Sequence, residues 1–74
     1  MMNANTLQIR ADEHLEALLQ RRIGNRVRDL RVIRRDAGLV LVGWAPTYHA
    51  KQLAQHAAME LSSIPILANE IEVR

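Results

Sequence analysis

Residues 27–43 read VRDLRVIRRDAGLVLVG, and this run decides the fold. In its first half Leu30 and Val32 fall on one side of an extended chain and Arg31, Ile33 and Arg35 on the other. That is the two-residue period of a β-strand. Asp36-Ala37-Gly38 then gives a tight-turn signal, and Leu39-Val40-Leu41-Val42 is a short apolar, β-branched run that closes at Gly43. The two halves predict a β-hairpin. Its second strand is apolar on both sides while its first is studded with arginine, so the second belongs in the middle of a sheet and the first at an edge.

The period changes on either side of the hairpin. Before it, Leu15, Leu18, Leu19 and Ile23 recur at helical spacing behind Asp12, a residue type suited to a helix N-cap. Acids in the first turn and Arg21 and Arg22 in the last favour the helix dipole, and Gly24-Asn25 can end it, giving a helix over about 12–23. After the hairpin, Trp44-Ala45-Pro46-Thr47 leads into Ala50, Leu53, Ala54, Ala57, Ala58 and Leu61, a second amphipathic helix with Pro46 or Thr47 at its start. Pro65 stops any continuation, and Leu67, Asn69, Ile71 and Val73 alternate with Ala68, Glu70 and Glu72 as a third strand. The expectation is an α+β fold: a two-layer αββαβ sandwich, with a three-stranded mixed sheet and two helices on one face. Leu30, Val32, Leu39, Leu41, Ile71 and Val73 would lie under the helices, with Ile33, Val40 and Val42 on the opposite face.

Seventy-four residues allow one domain, expected over 12–74 behind a flexible segment 1–11. With no cysteine there is no disulfide framework and no thiolate metal cluster, so packing must carry stability, helped by self-association if there is any. Apolar residues at 49% and charged residues at 24% argue against disorder. Arg10, Asp12, Glu13 and Glu16 interrupt the N-terminal region, which therefore holds no signal-peptide run and no membrane span. The chain as given is expected in the cytoplasm, or in the periplasm if it was cut from a longer exported protein.

The run Gly43-Trp44-Ala45-Pro46-Thr47-Tyr48-His49-Ala50-Lys51-Gln52-Leu53-Ala54 and the ending Ala68-Asn69-Glu70-Ile71-Glu72-Val73 resemble the BON domain of bacterial osmotic-shock and nodulation proteins. There an apolar strand ends in Gly, a Pro/Ser/Thr-Tyr segment enters an Ala-rich helix, and the chain finishes on an Asn-x-Ile/Leu-x-Val strand. The resemblance covers about residues 27–74; where the family usually has Gly-Val before the last strand, this chain has Ser63-Ile64. It implies an αββαβ fold and a binding role, with attachment to phospholipid membranes as the usual proposal.

Net charge is +2, but residues 21–36 alone carry seven Arg and two Asp. Arg forks match phosphate and carboxylate geometry, which makes Arg26, Arg28, Arg31, Arg34 and Arg35 candidates for binding an anionic surface such as lipid headgroups. Against this, strand alternation sends these side chains to different faces, and some are expected to pair with Asp29, Glu70 or Glu72. Ile33, Val40 and Val42, with Trp44 and Tyr48 at the strand-to-helix turn, are candidates for contact with a partner protein or a second copy. Nucleic acid is the weaker candidate, because a chain with one Trp, one Tyr and no Phe offers few stacking surfaces.

No catalytic set is expected. Ser62 and Ser63 stand at a helix exit, the acids are scattered, and Gly24, Gly38 and Gly43 lie in unrelated turns instead of a phosphate loop. His49 and His56 are seven apart, about 10 Å along a helix, too far to share an ion. The reading is therefore a non-catalytic binding module with no metal, no cofactor and no small-molecule substrate.

Overall fold

The computed structural model describes residues 10–74. Residues 1–9, most of the segment expected to be flexible, lie outside the described residues. Among the described residues the elements are β1 (Arg10–Ala11), α1 (Glu13–Ile23), β2 (Arg28–Arg35), β3 (Gly38–Ala45), α2 (Tyr48–Leu61) and β4 (Ile66–Val73), with a 3-10 turn at Gly24–Arg26. This is the expected α+β order with one short strand added in front.

The sheet order is β1-β2-β3-β4. Strand β2 runs antiparallel to β1 and β3, and β4 runs parallel to β3, so the sheet is mixed and β3 is paired on both sides. One expectation is corrected: β2 is not a bare edge. Arg10 and Ala11 pair with Arg34 and Ile33, a contact too short to leave a period in the sequence. Beside it, the Asp12 N–H donates to the Val32 carbonyl at 2.7 Å and the Glu16 carboxylate accepts from the Val32 N–H at 3.0 Å. Side chain and backbone thus occupy edge groups that would otherwise invite another strand.

Helix α1 starts where its cap was expected. The Asp12 carboxylate accepts from the Leu15 N–H at 3.1 Å, with Glu13 and Glu16 in the first turn and Arg21 and Arg22 in the last. Helix α2 is capped by Thr47, whose hydroxyl oxygen accepts from the Ala50 N–H at 3.0 Å. Its buried residues are all alanine (Ala50, Ala54, Ala57 and Ala58), which lets the helix lie close to its neighbours.

Both helices cover one sheet face. Leu15, Leu19 and Ile23 of α1 and the four alanines of α2 form one core with Leu30, Val32, Leu39, Leu41, Ala45 and Ile71. Val73, expected there too, is exposed at the last position of its strand. A fully buried Leu or Ile contributes roughly 1.5–3 kcal/mol, and a chain of this length holds only ~4–11 kcal/mol in total. Few core positions are dispensable.

Two glycines mark close approaches on the sheet. Gly43 has φ 143, and a Cβ there would meet the Arg28 carbonyl oxygen at 2.8 Å. The cause lies across the ladder, where β2 carries a bulge between Arg28 and Arg31 with Asp29 at φ 53, pressing its backbone onto Gly43. Gly38 is different: its neighbour is the Leu67 side chain, whose Cγ would stand 2.3 Å from an added Cβ. The turn at Asp36-Ala37 takes its positive φ from Asp36 (φ 55), so the glycine next to it makes room for packing.

Gly43→Ala should lower the unfolding free energy by about 1–3 kcal/mol, the range for a strained backbone position, seen as a lower urea midpoint at unchanged slope. An unaltered midpoint would mean that the bulge yields freely. Gly38→Ala should also destabilise, and most of its cost should disappear when Leu67→Ala is already present. A double-mutant cycle reads this directly, with a coupling of roughly 0.5–3 kcal/mol expected; additive effects would refute the packing role assigned to Gly38.

Candidate functional site

Because β3 is bonded to β2 and β4 in known register, the sheet face away from the helices can be laid out row by row. Ile33, Val40 and Ala68 form one row across β2, β3 and β4. Arg31, Val42 and Glu70 form the next, and Arg28, Trp44 and Glu72 the one after. Reading along the strands instead, β2 contributes a basic stripe of Arg28, Arg31 and Arg35, β3 an apolar stripe of Val40, Val42 and Trp44, and β4 an acidic stripe of Glu70 and Glu72. Leu67 stands at one end of this face over Gly38, 53% exposed.

The acidic stripe faces outward because the other side of β4 is tied down. The Asn69 amide nitrogen donates to the Lys51 carbonyl and to the Gln55 side-chain oxygen, each at 3.1 Å, and its oxygen accepts from the Ile71 N–H at 3.2 Å. With Asn69 and Ile71 held toward α2, alternation leaves Glu70 and Glu72 on the open side.

Trp44 is half-buried between cations. The Arg28 and Arg74 guanidinium carbons lie 5.5 and 5.2 Å from its ring centroid, within cation–π range. Arg74 is positioned by its backbone N–H, which donates to the Ala45 carbonyl at 2.9 Å, and by an ion pair with Glu72 at 3.4 Å.

The ten residues singled out from sequence do not form one surface. Among the five arginines, Arg28, Arg31 and Arg35 share the open face. Arg34 points to the helix side, with its guanidinium 4.0 Å from the Asp12 carboxylate, and Arg26 turns back to donate to the Ile23 carbonyl at 3.1 Å. Alternation and a helix C-terminus short of donors account for the split. Of the acids expected to pair with the arginine cluster, Glu72 pairs instead with Arg74, and the other ion pairs among the described residues are Arg22–Glu60 and Arg34–Asp12.

Among the contact candidates, Ile33, Val42 and Trp44 are half-buried on the open face and available at its surface. Val40 is not: it is 1% exposed and offers nothing to a partner. Tyr48 is 65% exposed but opens α2, beyond the end of the sheet. Glu70, Glu72 and Arg74 are the residues that sequence reasoning left out of the site. The alternation that turns the two glutamates outward was visible; that β4 would lie parallel beside β3, opposite Val42 and Trp44, was not.

Among the described residues, concavities lie on the helix side. One, of about 350 Å³, runs between Ile23, Arg26, Leu53 and Ala57. Its rim charges are already engaged, since Arg22 and Glu60 pair at 2.7 Å. Another, about 400 Å³, is a shallow depression at the exit of α2 lined by Met59, Ser62, Ile64 and Pro65, without a charged group. His14, His49 and His56 are exposed, and no three His, Asp or Glu side chains among the described residues gather closely enough to hold a metal. No helix of the described residues is long and apolar enough to cross a membrane.

Compared with protein-family models, with curated proteins and with solved structures, the chain matches none.

Proposed function

We propose that this chain is a BON-like, non-catalytic binding module whose open sheet face docks on a protein. The single observation that carries this is the order of stripes on that face, basic, apolar and acidic, in register from β2 to β4. A surface with both signs beside an apolar strip fits a partner with the same three properties. Electrostatic complementarity of this kind selects partners and fixes orientation more than it adds affinity.

Attachment to anionic phospholipid is the second reading, supported by Arg28 and Arg74 standing over Trp44, with Arg31 and Arg35 further along the same strand face. Near an anionic surface each cation contributes about 1 kcal/mol. Glu70 and Glu72 on the same face oppose that attraction, and this weighs the choice toward protein.

Co-sedimentation with vesicles separates the two. Phosphatidylcholine vesicles and vesicles enriched in phosphatidylglycerol should retain the chain equally little. Strong retention on the anionic vesicles alone, lost in Arg31→Glu, would replace the protein reading with the lipid one. In parallel, a partner retained by the wild-type chain should be lost with Val42→Lys and kept with His56→Lys on the helix side. Retention indifferent to Val42→Lys would remove the open face as the docking surface.

A further inference from the structure

The charges of the open face are arranged so that they complement themselves. Arg31 and Glu70 occupy one row with Val42 between them, which separates their Cα atoms by two strand spacings, roughly 10 Å. Neither takes part in an ion pair among the described residues. Arg28 and Glu72 flank Trp44 in the same way.

Two copies of this sheet face can meet about a two-fold axis in only two simple orientations. An axis perpendicular to the strands lays β2 on β2 and β4 on β4, placing arginine against arginine and glutamate against glutamate. An axis parallel to β3 exchanges the flanks, so that β2 of each copy lies over β4 of the other. A proper two-fold leaves position along its own axis unchanged. Each row therefore meets its own copy: Arg31 lies over Glu70 of the second copy, Arg28 over Glu72, and Val42 and Trp44 face their counterparts beside the axis. Stacked sheets pack about 10 Å apart with strands within roughly 30° of aligned, a distance that long Arg and Glu side chains span.

Resting on the reading of the open face as a protein-docking surface, we infer that its occupant is a second copy of this chain, related by a two-fold axis parallel to β3. The interface is isologous, as closed dimers require. It is also small. Three eight-residue strands make a face of roughly 26 by 14 Å in projection, about half of the ~800 Å² per partner typical of stable complexes. The dimer is accordingly reversible, with dissociation in the micromolar range or weaker.

The test uses two exposed positions whose substitution leaves the core untouched. In sedimentation equilibrium the wild-type chain should rise with concentration from its 8.4 kDa monomer mass toward twice that value. Arg31→Glu alone sets glutamate against glutamate across the axis, and Glu70→Arg alone sets arginine against arginine; each should weaken association at least tenfold. An equimolar mixture of these two variants places opposite charges at both contacts of that row and should recover association that neither shows by itself. Weakening in each single variant is specific to the axis along β3, because an axis across the strands sets each position on its own copy and leaves like charge on like in the wild type and in both variants. A wild-type dimer that neither variant weakens would overturn the axis along β3. A wild-type dimer whose variants fail to recover on mixing would overturn this geometry, and a monomer at every concentration would overturn self-association. In that last case, loss of another protein's binding in Val42→Lys would still sustain the open face as a docking surface, whereas indifference to Val42→Lys would end both.

Discussion

Strand β3 is hydrogen-bonded on both edges, and everything else in this small domain is arranged around that fact. A strand paired on both sides has its backbone shielded from water, and the side chains it turns to the helices must be apolar; in β3 those on the other face are apolar as well. Leu39, Leu41 and Ala45 go to the helices and Val40, Val42 and Trp44 to the other face. Val40, on the face away from the helices, is itself only 1% exposed. The charges of that face therefore stand on the flanking strands, arginine on β2 and glutamate on β4.

The same constraint explains which parts of the structure were legible in the sequence. The two-residue rhythm of Leu30, Val32, Leu39 and Leu41 and the helical rhythms around them are consequences of burial on one side, and burial leaves a period. The helix caps at Asp12 and Thr47 were visible because capping depends on residue type. Features that depend on contact between distant segments left no such trace. The pairing of Ala11 with Ile33 spans two residues, the bulge at Asp29 is an aspartate among arginines, and Gly38 reads as a turn glycine although it makes room for Leu67.

The candidate site was legible in composition but not in arrangement. Seven arginines between residues 21 and 35 suggest a patch, yet the chain disperses them: Arg21 and Arg22 sit in the last turn of α1, where Arg22 pairs with Glu60. Arg26 completes the end of α1, Arg34 stands on the helix side near Asp12, and Arg28, Arg31 and Arg35 remain on the open face. Count alone overstates the field, because a strand halves the density of any charge run on a given face. The acidic stripe needed one more fact, the parallel pairing of β4 with β3, which sets Glu70 opposite Val42. Sequence alternation gives the face of a residue; only topology gives its neighbour.

Charge order on a surface carries more information than net charge. A face of one sign suits any surface of the other sign, whether lipid, nucleic acid or acidic protein, and salt weakens all of them alike. A face with a basic flank, an apolar centre and an acidic flank penalises a partner of uniform sign at one flank as much as it attracts it at the other. What such a face selects is a partner with the reversed order, and a copy of itself turned about the central strand supplies that order without further evolution of a second surface. For a chain with ~4–11 kcal/mol of stability and no cysteine, this has a thermodynamic consequence, since whatever binds only the folded state stabilises it by mass action. The self-association inferred above would leave the core unchanged and still add to its stability, linking that surface to the persistence of the fold that creates it.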